Sequence, residues 1–443
     1  MAKEGSPQAG RTLDPLVTLV TAQQNVSSKA KVRGGVTTNP VAVTGLCFMS
    51  KGFNHTENGS GDFSGDSDTS SDDEGGALRC QRILQGEKSA DSDATAPARE
   101  AAASIQLLQN RHLASCHESG NAYLWDLGTR RIVHQFGQGR GPGMALRRIG
   151  DKVMYHTRDD AGTVAIHSLA QAESFVSIQW ETQSRTFCTA SPCEGNQNLL
   201  ALPSGNECYA TVRDVRVSPI ANPVAFVHGT GDEANERKHG MLSSLAMCMS
   251  SNDRPMLACG MESGSIFFHD LRALSRHCGL QVSPRKDPIL AMDVSLSSSG
   301  ALAIVGLAAD RVDLMELPEE NRGTVALVKV YSNDDIEMAA KLRARVGTCD
   351  LEKEGKPGVN VARFRSDGRL FAIGGWDHRL RIFDRTRANP MAVLRGHSTS
   401  VKAIDWAPDS PLSGLLATGS GDAKILIWRC FSASDTQRSM EGL

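Results

Sequence analysis

The chain has 443 residues and a net charge of −2, with 22% charged and 40% hydrophobic residues. This composition is typical of a globular protein, and the balanced charge disfavours non-specific binding to nucleic-acid phosphates. No apolar run approaches the roughly 18 residues of a transmembrane helix, which predicts that the chain does not span a membrane.

The cysteines and the N-terminal residues predict an intracellular protein. Eleven cysteines, an odd number without regular spacing, are typical of free thiols rather than of a disulfide framework. Residues 1–15 lack the apolar segment of a secretory signal. We therefore expect the cytosol or the nucleus.

Short apolar runs, punctuated by 42 glycines and 17 prolines, predict an all-β fold. After a flexible leader at 1–13, residues 14–21 form a predicted strand outside any repeat unit. Each unit that follows consists of an apolar strand, a short turn and a second strand. The units contain residues 111–127, 152–169, 198–215, 256–271 and 301–317, and two further units lie between 359 and 428.

These seven units have the length of four-stranded propeller blades, roughly 40 to 45 residues. We therefore predict a seven-bladed β-propeller over 14–431. The last unit lacks one strand, and residues 14–21 are expected to pair with it, which closes the ring and removes an exposed sheet edge.

Insertions interrupt these units at 22–38, 49–103 and 332–357, and a flexible tail follows at 432–443. The segment 49–103 is predicted to be a disordered acidic insertion in blade one, with eleven acidic and five basic residues. The segment 332–357 is predicted to lie between blades, with a short helix at 333–347.

The most acidic part of the first-blade insertion, 61–76, has six acids and no base. Ser67, Ser70 and Ser71 precede acidic residues and are candidate phosphorylation sites, where added charge would attract a basic partner. The alternative is a spacer without a binding role.

The last unit carries a recognisable motif, Gly396-His397 followed by Ser420, Asp422 and Trp428. It resembles the signature of the WD-repeat β-propeller family. The resemblance implies a structural tetrad, in which Asp422 orients His397, His397 bonds Ser420 and the hydroxyl accepts from the Trp428 indole. A hydrolase triad of Ser420, His397 and Asp422 is the alternative, but no G-x-S-x-G elbow surrounds the serine.

Other units depart from that signature. Phe383 and Phe268 stand where tryptophan is expected, Glu262 occupies one turn, and Trp125 is retained with Ser119 in place of aspartate. We therefore expect apolar packing to stabilise most blades.

Residues 357–429 resemble a narrower family, ASTRA-associated protein 1 and the animal guanine-nucleotide-binding protein beta-subunit-like protein 1. The shared features are RSDGR, FAIGGWD and a following basic strand. The resemblance implies a non-catalytic nuclear adaptor, monomeric within a hetero-complex, linked to chromatin remodelling and to maturation of phosphatidylinositol-3-kinase-related kinases. It implies RuvB-like ATPases and kinase-maturation chaperone subunits as partners.

A turn in the sixth unit carries the candidate partner-binding residues Trp376, His378 and Arg379. A large aromatic residue among charged neighbours is typical of an interface anchor. In the alternative interpretation the indole packs over the neighbouring blade. Arg379 and Arg381 share a strand face, which we expect to be solvated.

Motifs for chemistry are weak, and we expect no enzyme activity, cofactor or metal. The glycine-rich segment 137–143 is not a phosphate-binding loop, and neither Cys188 with Cys193 nor His112 with Cys116 and His117 has a second zinc-spaced pair. Three alternatives stay open: a histone-tail reader, a G-protein-beta-like signalling propeller, and a hydrolase with polar groups in its central channel.

Overall fold

A computed structural model describes the chain with gaps. The described residues are 15, 17–20, 41–49, 111–137, 140–168, 175–231, 236–249, 253–274, 277–281, 286–297, 300–307, 312–317, 329–330, 358–384, 390–408 and 414–431. Predictions for the leader, the insertions, the 333–347 helix, the tail and Ser67, Ser70 and Ser71 lie outside these residues.

The described strands form five four-stranded sheets and one eight-stranded sheet. The elements are β1 (Val17–Val20), β2 (Val43–Phe48), β3 (His112–His117), β4 (Ala122–Asp126), β5 (Arg131–Gln135), β6 (Gly143–Ile149), β7 (Lys152–Thr157), β8 (Thr163–Ser168), β9 (Phe175–Glu181), β10 (Ser191–Glu194), β11 (Asn196–Pro203), β12 (Tyr209–Asp214), β13 (Ala225–His228), α1 (Glu236–His239), β14 (Leu242–Met249), β15 (Pro255–Met261), β16 (Ser265–Asp270), β17 (His277–Gln281), β18 (Ile289–Ser297), β19 (Gly300–Leu307), β20 (Val312–Leu317), β21 (Lys329–Val330), β22 (Val359–Phe364), β23 (Leu370–Gly375), β24 (Leu380–Asp384), β25 (Pro390–Leu394), β26 (Val401–Trp406), β27 (Leu415–Ser420) and β28 (Lys424–Arg429).

Four of the sheets are antiparallel meanders in chain order, formed by β2 to β5, β6 to β9, β18 to β21 and β22 to β25. The eight-stranded sheet contains two further meanders, β10 to β13 and β14 to β17. A short parallel pair joins them, with Cys193 of β10 opposite Met247 of β14.

The last sheet combines the two ends of the described chain. Strand β1 pairs antiparallel with β28, with Val17 opposite Ile427 and Leu19 opposite Ile425. Leu19 is buried and packs in one apolar cluster with both isoleucines. The N-terminal strand therefore completes the sheet of β26, β27 and β28.

The first strand of each meander lies innermost. Strand β2 contacts β6 and β26, β10 contacts β6 and β14, and β18 contacts β14 and β22, which in turn contacts β26. The inner strands thus form a closed ring around a central axis. This arrangement confirms the prediction of an all-β propeller built from four-stranded sheets.

The apolar core lies between neighbouring sheets, where small residues allow close approach. A Cβ atom on Gly419 of β27 would lie 2.6 Å from Cγ1 of Val43, and one on Gly374 of β23 would lie 2.7 Å from Cγ1 of Val401. The branched first residue of an inner strand therefore packs directly on the backbone of the preceding sheet. The contact between Gly419 and Val43 joins the last sheet to the first.

Candidate partner-binding face

A hydrogen-bond network joins four side chains of the last sheet. Nδ1 of His397, in the segment before β26, lies 3.2 Å from both carboxylate oxygens of Asp422 in the β27–β28 turn. Nε2 of His397 lies 2.8 Å from Oγ1 of Thr418, and the Trp428 indole donates to the same hydroxyl at 2.8 Å. Thr418 and Trp428 are buried, so the network satisfies polar groups removed from water.

The prediction that Ser420 supplies this hydroxyl is wrong. Ser420 donates to the carbonyl oxygen of Thr399 at 2.9 Å. Leu416 lies directly opposite Trp428, and Thr418, two residues further on, shares its face and reaches the indole diagonally. Ser420 lies two more residues away, roughly 6.6 Å along the strand. The triad alternative lacks the bond between Ser420 and His397 that it requires.

Asp422 anchors the turn as a carboxylate. Burial raises the pKa of Asp422, but hydrogen bonds from His397, the Ser398 N–H and the Lys424 N–H outweigh it and lower the pKa to about 2. The next residue, Ala423, adopts a left-handed backbone with φ of 62°. These bonds give Asp422 and His397 a structural role.

The first sheet contains a related network that the sequence interpretation missed. The Trp125 indole donates to Oγ of Ser115 at 2.8 Å, and Ser115 Oγ lies 3.0 Å from Nε2 of His117. Ser115 precedes Trp125 by ten residues, as Thr418 precedes Trp428, and this shared spacing is the signal that could have identified both hydroxyls. Apolar packing alone therefore does not describe this blade.

Trp376 lies in the turn between β23 and β24 and is half-buried. Its indole donates to Oδ1 of Asn360 on β22 at 2.5 Å. The ring also covers Gly358, where an added Cβ would lie 2.5 Å from Cδ2 of the indole. The indole thus packs on the inner strand of its own sheet, and it also lines the cavity described below.

The structure also shows how exposed the other predicted residues of this turn and strand are. His378 is half-buried and has a left-handed backbone with φ of 66°. Arg379 is only 8% exposed and Arg381 only 3% exposed. The prediction of a solvated arginine face is therefore wrong, because both side chains are buried, and this burial disfavours Arg379 as a partner contact.

Arg381 forms a buried ion pair with the turn aspartate, Asp377. Its Nη2 lies 2.5 Å from Oδ2 of Asp377, and its Nη1 lies 3.2 Å from Oδ1. Asp377 occupies the turn position equivalent to Asp422, while Ile373 replaces Thr418. A bidentate arginine thus takes the place of the histidine network in this sheet.

A cavity of about 430 Å³ occupies the centre of the ring. Residues of the inner strands form its wall. Its rim contains Trp376, Glu118 and Arg158 from turns between second and third strands, and Phe187, which is 73% exposed, from the segment before β10. Such a concave surface with aromatic and charged groups at its mouth is suited to binding part of another molecule.

Two carboxyl groups lie in the inner-strand layer beyond this cavity. Asp405 accepts from the Phe48 N–H at 2.7 Å, and Asp293 accepts from the Phe364 N–H at 2.8 Å. Burial raises the pKa of Asp405 to about 6 and that of Asp293 to about 7, although these bonds and nearby Arg147 oppose the rise. Each carboxyl therefore connects the inner strands of adjacent sheets.

Replacing Asp405 with Asn is expected to flatten the pH dependence of stability. In the unfolded chain the Asp405 pKa is near 3.9, so the folded state binds the proton more tightly. The contribution of Asp405 is most favourable below pH 4 and is lost as the pH rises to about 6. Urea unfolding between pH 4 and 7 should show a smaller loss of unfolding free energy in Asp405→Asn than in the wild type.

The exposed Asp253 offers a control for this measurement, since Asp253→Asn should leave the pH profile of the wild type unchanged. Equal pH profiles for Asp405→Asn and the wild type would contradict the assignment of this titration to Asp405.

Among the described residues, no helix is long and apolar enough to cross a membrane. Within the same residues, no group of three His, Cys, Asp or Glu side chains is placed to hold a metal ion.

Comparison with known proteins shows which proteins this chain is similar to. The family model "WD domain, G-beta repeat" matches residues 347–384 and 388–429. The mouse guanine nucleotide-binding protein subunit beta-like protein 1 is 26% identical over 332 residues, covering 74% of this chain and 90% of that protein. ASTRA-associated protein 1 of Verticillium alfalfae is 25% identical over 329 residues, covering 67% of this chain and 74% of that protein.

A solved structure has the same fold. The β-propeller domain of Cps50 (Swd1) from Myceliophteria thermophila superposes with a TM-score of 0.54 at 17% identity, covering 72% of this chain and 93% of that domain. The chain is a β-propeller protein, and its residues 347–384 and 388–429 match WD repeats. Within that class it is similar to ASTRA-associated protein 1 and to guanine nucleotide-binding protein subunit beta-like protein 1, which confirms the resemblance found in its C-terminal residues.

Proposed function

We propose that the chain is a non-catalytic adaptor of the nucleus, a subunit of an ASTRA-type complex. The similarity to ASTRA-associated protein 1 over 67% of the chain carries this proposal, since the name of that relative states its association. WD-repeat propellers as a class bind proteins, and the rigid ring suits that role because its surface loses little entropy on docking.

The adaptor is proposed to have seven blades. Each half of the eight-stranded sheet is a four-stranded meander like the other sheets, and we count the two halves as two blades joined by β10 and β14. In this proposal the acidic segment 61–76, which lies in sequence between β2 and β3, belongs to the first blade.

Partners are proposed to dock on the face that surrounds the central cavity. Phe187 is 73% exposed there, and Trp376 and His378 are each half-exposed on a turn held by hydrogen bonds. We propose RuvB-like ATPases and kinase-maturation chaperone subunits as partners, with roles in chromatin remodelling and in the maturation of phosphatidylinositol-3-kinase-related kinases.

Affinity purification of the tagged full chain, followed by mass spectrometry, tests this function. We expect RuvB-like ATPases, chaperone subunits or the large kinases to be recovered. Recovery of histones or G-protein subunits in their place would contradict the ASTRA-type assignment and favour the histone-reader or signalling alternative.

Trp376→Ala tests the docking face within the same experiment. Loss of the indole removes a large aromatic contact surface, and we expect recovery of partners to fall about tenfold or more. Phe226→Ala is a matched control, because Phe226 is an aromatic residue that is 53% exposed on the outer strand β13, outside the cavity lining. Equal recovery with Trp376→Ala and with the wild type would show that partners dock elsewhere.

A further inference from the structure

The inner strands share one register around the central cavity. The second residue of six of these strands is half-buried and lines the cavity: Thr44, Met144, Ser243, Leu290, Asn360 and Lys402. These six side chains include no acid. The upper wall of the cavity is therefore neutral apart from the single positive charge of Lys402.

Arg147 lines the same cavity three residues further along β6 than Met144. Within the described residues, no group accepts a hydrogen bond from its guanidinium. Burial lowers the pKa of Arg147, and the nearby carboxyls of Asp293 and Asp405 only partly oppose that effect. The cavity therefore ends on a half-buried cation with its hydrogen-bond donors available.

The two nearby carboxyls are engaged with other donors. Asp293 accepts from Nη1 of Arg363 at 2.9 Å and from the Phe364 N–H. Asp405 accepts from the Phe48 N–H. Both carboxyls act on the charge of Arg147 through space, but neither accepts a hydrogen bond from the Arg147 guanidinium.

The rim adds positive charge. Arg158 lies over the Phe187 ring, with 4.2 Å between its Cζ atom and the ring centroid. Glu118 is the one acid that lines the cavity in the described part of the chain, and Lys402 Nζ lies 3.5 Å from its Oε2. Once this pair is set aside, the charged side chains that line the cavity are Arg147 at the floor and Arg158 at the rim, and both are cations.

The size and the charge of the cavity select a ligand. A volume of about 430 Å³ accommodates one or two side chains of an extended segment, not a folded domain. A carboxylate matches a guanidinium with two parallel hydrogen bonds. A doubly charged phosphate would meet repulsion from Asp293 and Asp405 directly beyond Arg147.

We propose that the central cavity binds an acidic side chain, Glu or Asp, from an extended segment of a partner protein. The carboxylate bonds the Arg147 guanidinium, and apolar residues of the same segment pack on Phe187 and Trp376 at the rim. This inference rests on the proposed adaptor function and specifies the chemistry of its partner.

Selection of random 12-residue peptides, displayed on phage, against the purified full chain tests the proposal. We expect one acidic position to be enriched, with apolar residues nearby. A labelled peptide from the selection should lose about tenfold in affinity when that Glu is replaced by Gln, because a charged hydrogen bond to Arg147 is removed. Enrichment of neutral or basic peptides, or of none, would overturn the proposal.

Variants of β6 locate the contact. Arg147→Gln should weaken binding about tenfold, whereas Arg148→Gln, an equal change of charge at the exposed next residue, should leave it unchanged. Met144→Glu provides a second variant that keeps Arg147 and its counter-charges; the new carboxylate should occupy the guanidinium and block the peptide. Equal losses for Arg147→Gln and Arg148→Gln, or full binding by Met144→Glu, would refute the site.

Two outcomes separate this site from related ideas. A phosphoserine in place of Glu that binds more than tenfold better would replace the carboxylate with a phosphate ligand and overturn the proposal. Partners that are still recovered with Arg147→Gln, together with the absence of peptide binding, would remove the cavity site and leave the adaptor function intact. Peptide binding without recovery of the expected complex would support the cavity site and contradict the adaptor function.

Discussion

Replacing Arg381 with Met is expected to lower the unfolding free energy by about 3 to 5 kcal/mol. The substitution leaves Asp377, which is 3% exposed, as a buried carboxylate without its bidentate partner. In the wild type the desolvation cost of that charge is offset mainly by the two hydrogen bonds from the guanidinium. Urea unfolding at pH 7 measures the effect directly.

The double variant Asp377→Asn with Arg381→Met tests the cause. Asparagine removes the charge but retains an oxygen for the Arg379 N–H, which Asp377 accepts at 3.3 Å, so much of the lost stability should return. Arg216→Met breaks an ion pair of similar length, 2.6 Å, at a side chain that is 68% exposed, and should change stability little. If the double variant is as unstable as Arg381→Met, the buried charge is not the cause.

The sequence predicted the repeating hairpins because their determinants are local. Alternating apolar residues and a tight turn lie within one short segment, as with Gly421-Asp422 between β27 and β28. The four-stranded sheets of the propeller follow from repetition of such segments, and this level of the fold is confirmed.

The environment of single side chains depends on neighbouring sheets and was not predictable in the same way. The alternation of side chains along a strand places Arg379 and Arg381 on one strand face. Whether that face is buried depends on tertiary contacts, which alternation does not specify. Arg147 shows the same limit, because it lies at the floor of a cavity only when the seven described inner strands surround one axis. Sequence reasoning therefore missed the cavity and misplaced the arginines.

The choice of hydroxyl in the last blade failed for a different reason. Thr418 and Ser420 both lie on the buried strand β27, and both are candidates by composition. Only the pairing register of β27 with β28 distinguishes them, since it sets Thr418 diagonal to Trp428. That register was readable from the ten-residue spacing that the first blade repeats between Ser115 and Trp125.

Thr418→Val is accordingly expected to lower the unfolding free energy by about 2 to 6 kcal/mol. The change preserves the shape of the side chain but removes the oxygen that accepts from the Trp428 indole and bonds Nε2 of His397. Two buried polar groups then lose a partner, and each such loss costs about 1 to 3 kcal/mol. Urea unfolding followed by tryptophan fluorescence measures the change.

Ser420→Ala is the matched control, because it deletes a buried hydroxyl of the same strand that bonds Thr399 and accepts from the Asp422 N–H, but contacts neither His397 nor Trp428. Its cost should be smaller, about 1 kcal/mol, since neither the buried indole nor the imidazole loses its partner. A larger loss of unfolding free energy in Ser420→Ala than in Thr418→Val would show that Ser420, not Thr418, supplies the hydroxyl of the network. The ordering expected here follows from register alone, because both residues are fully buried and lie two positions apart on one strand.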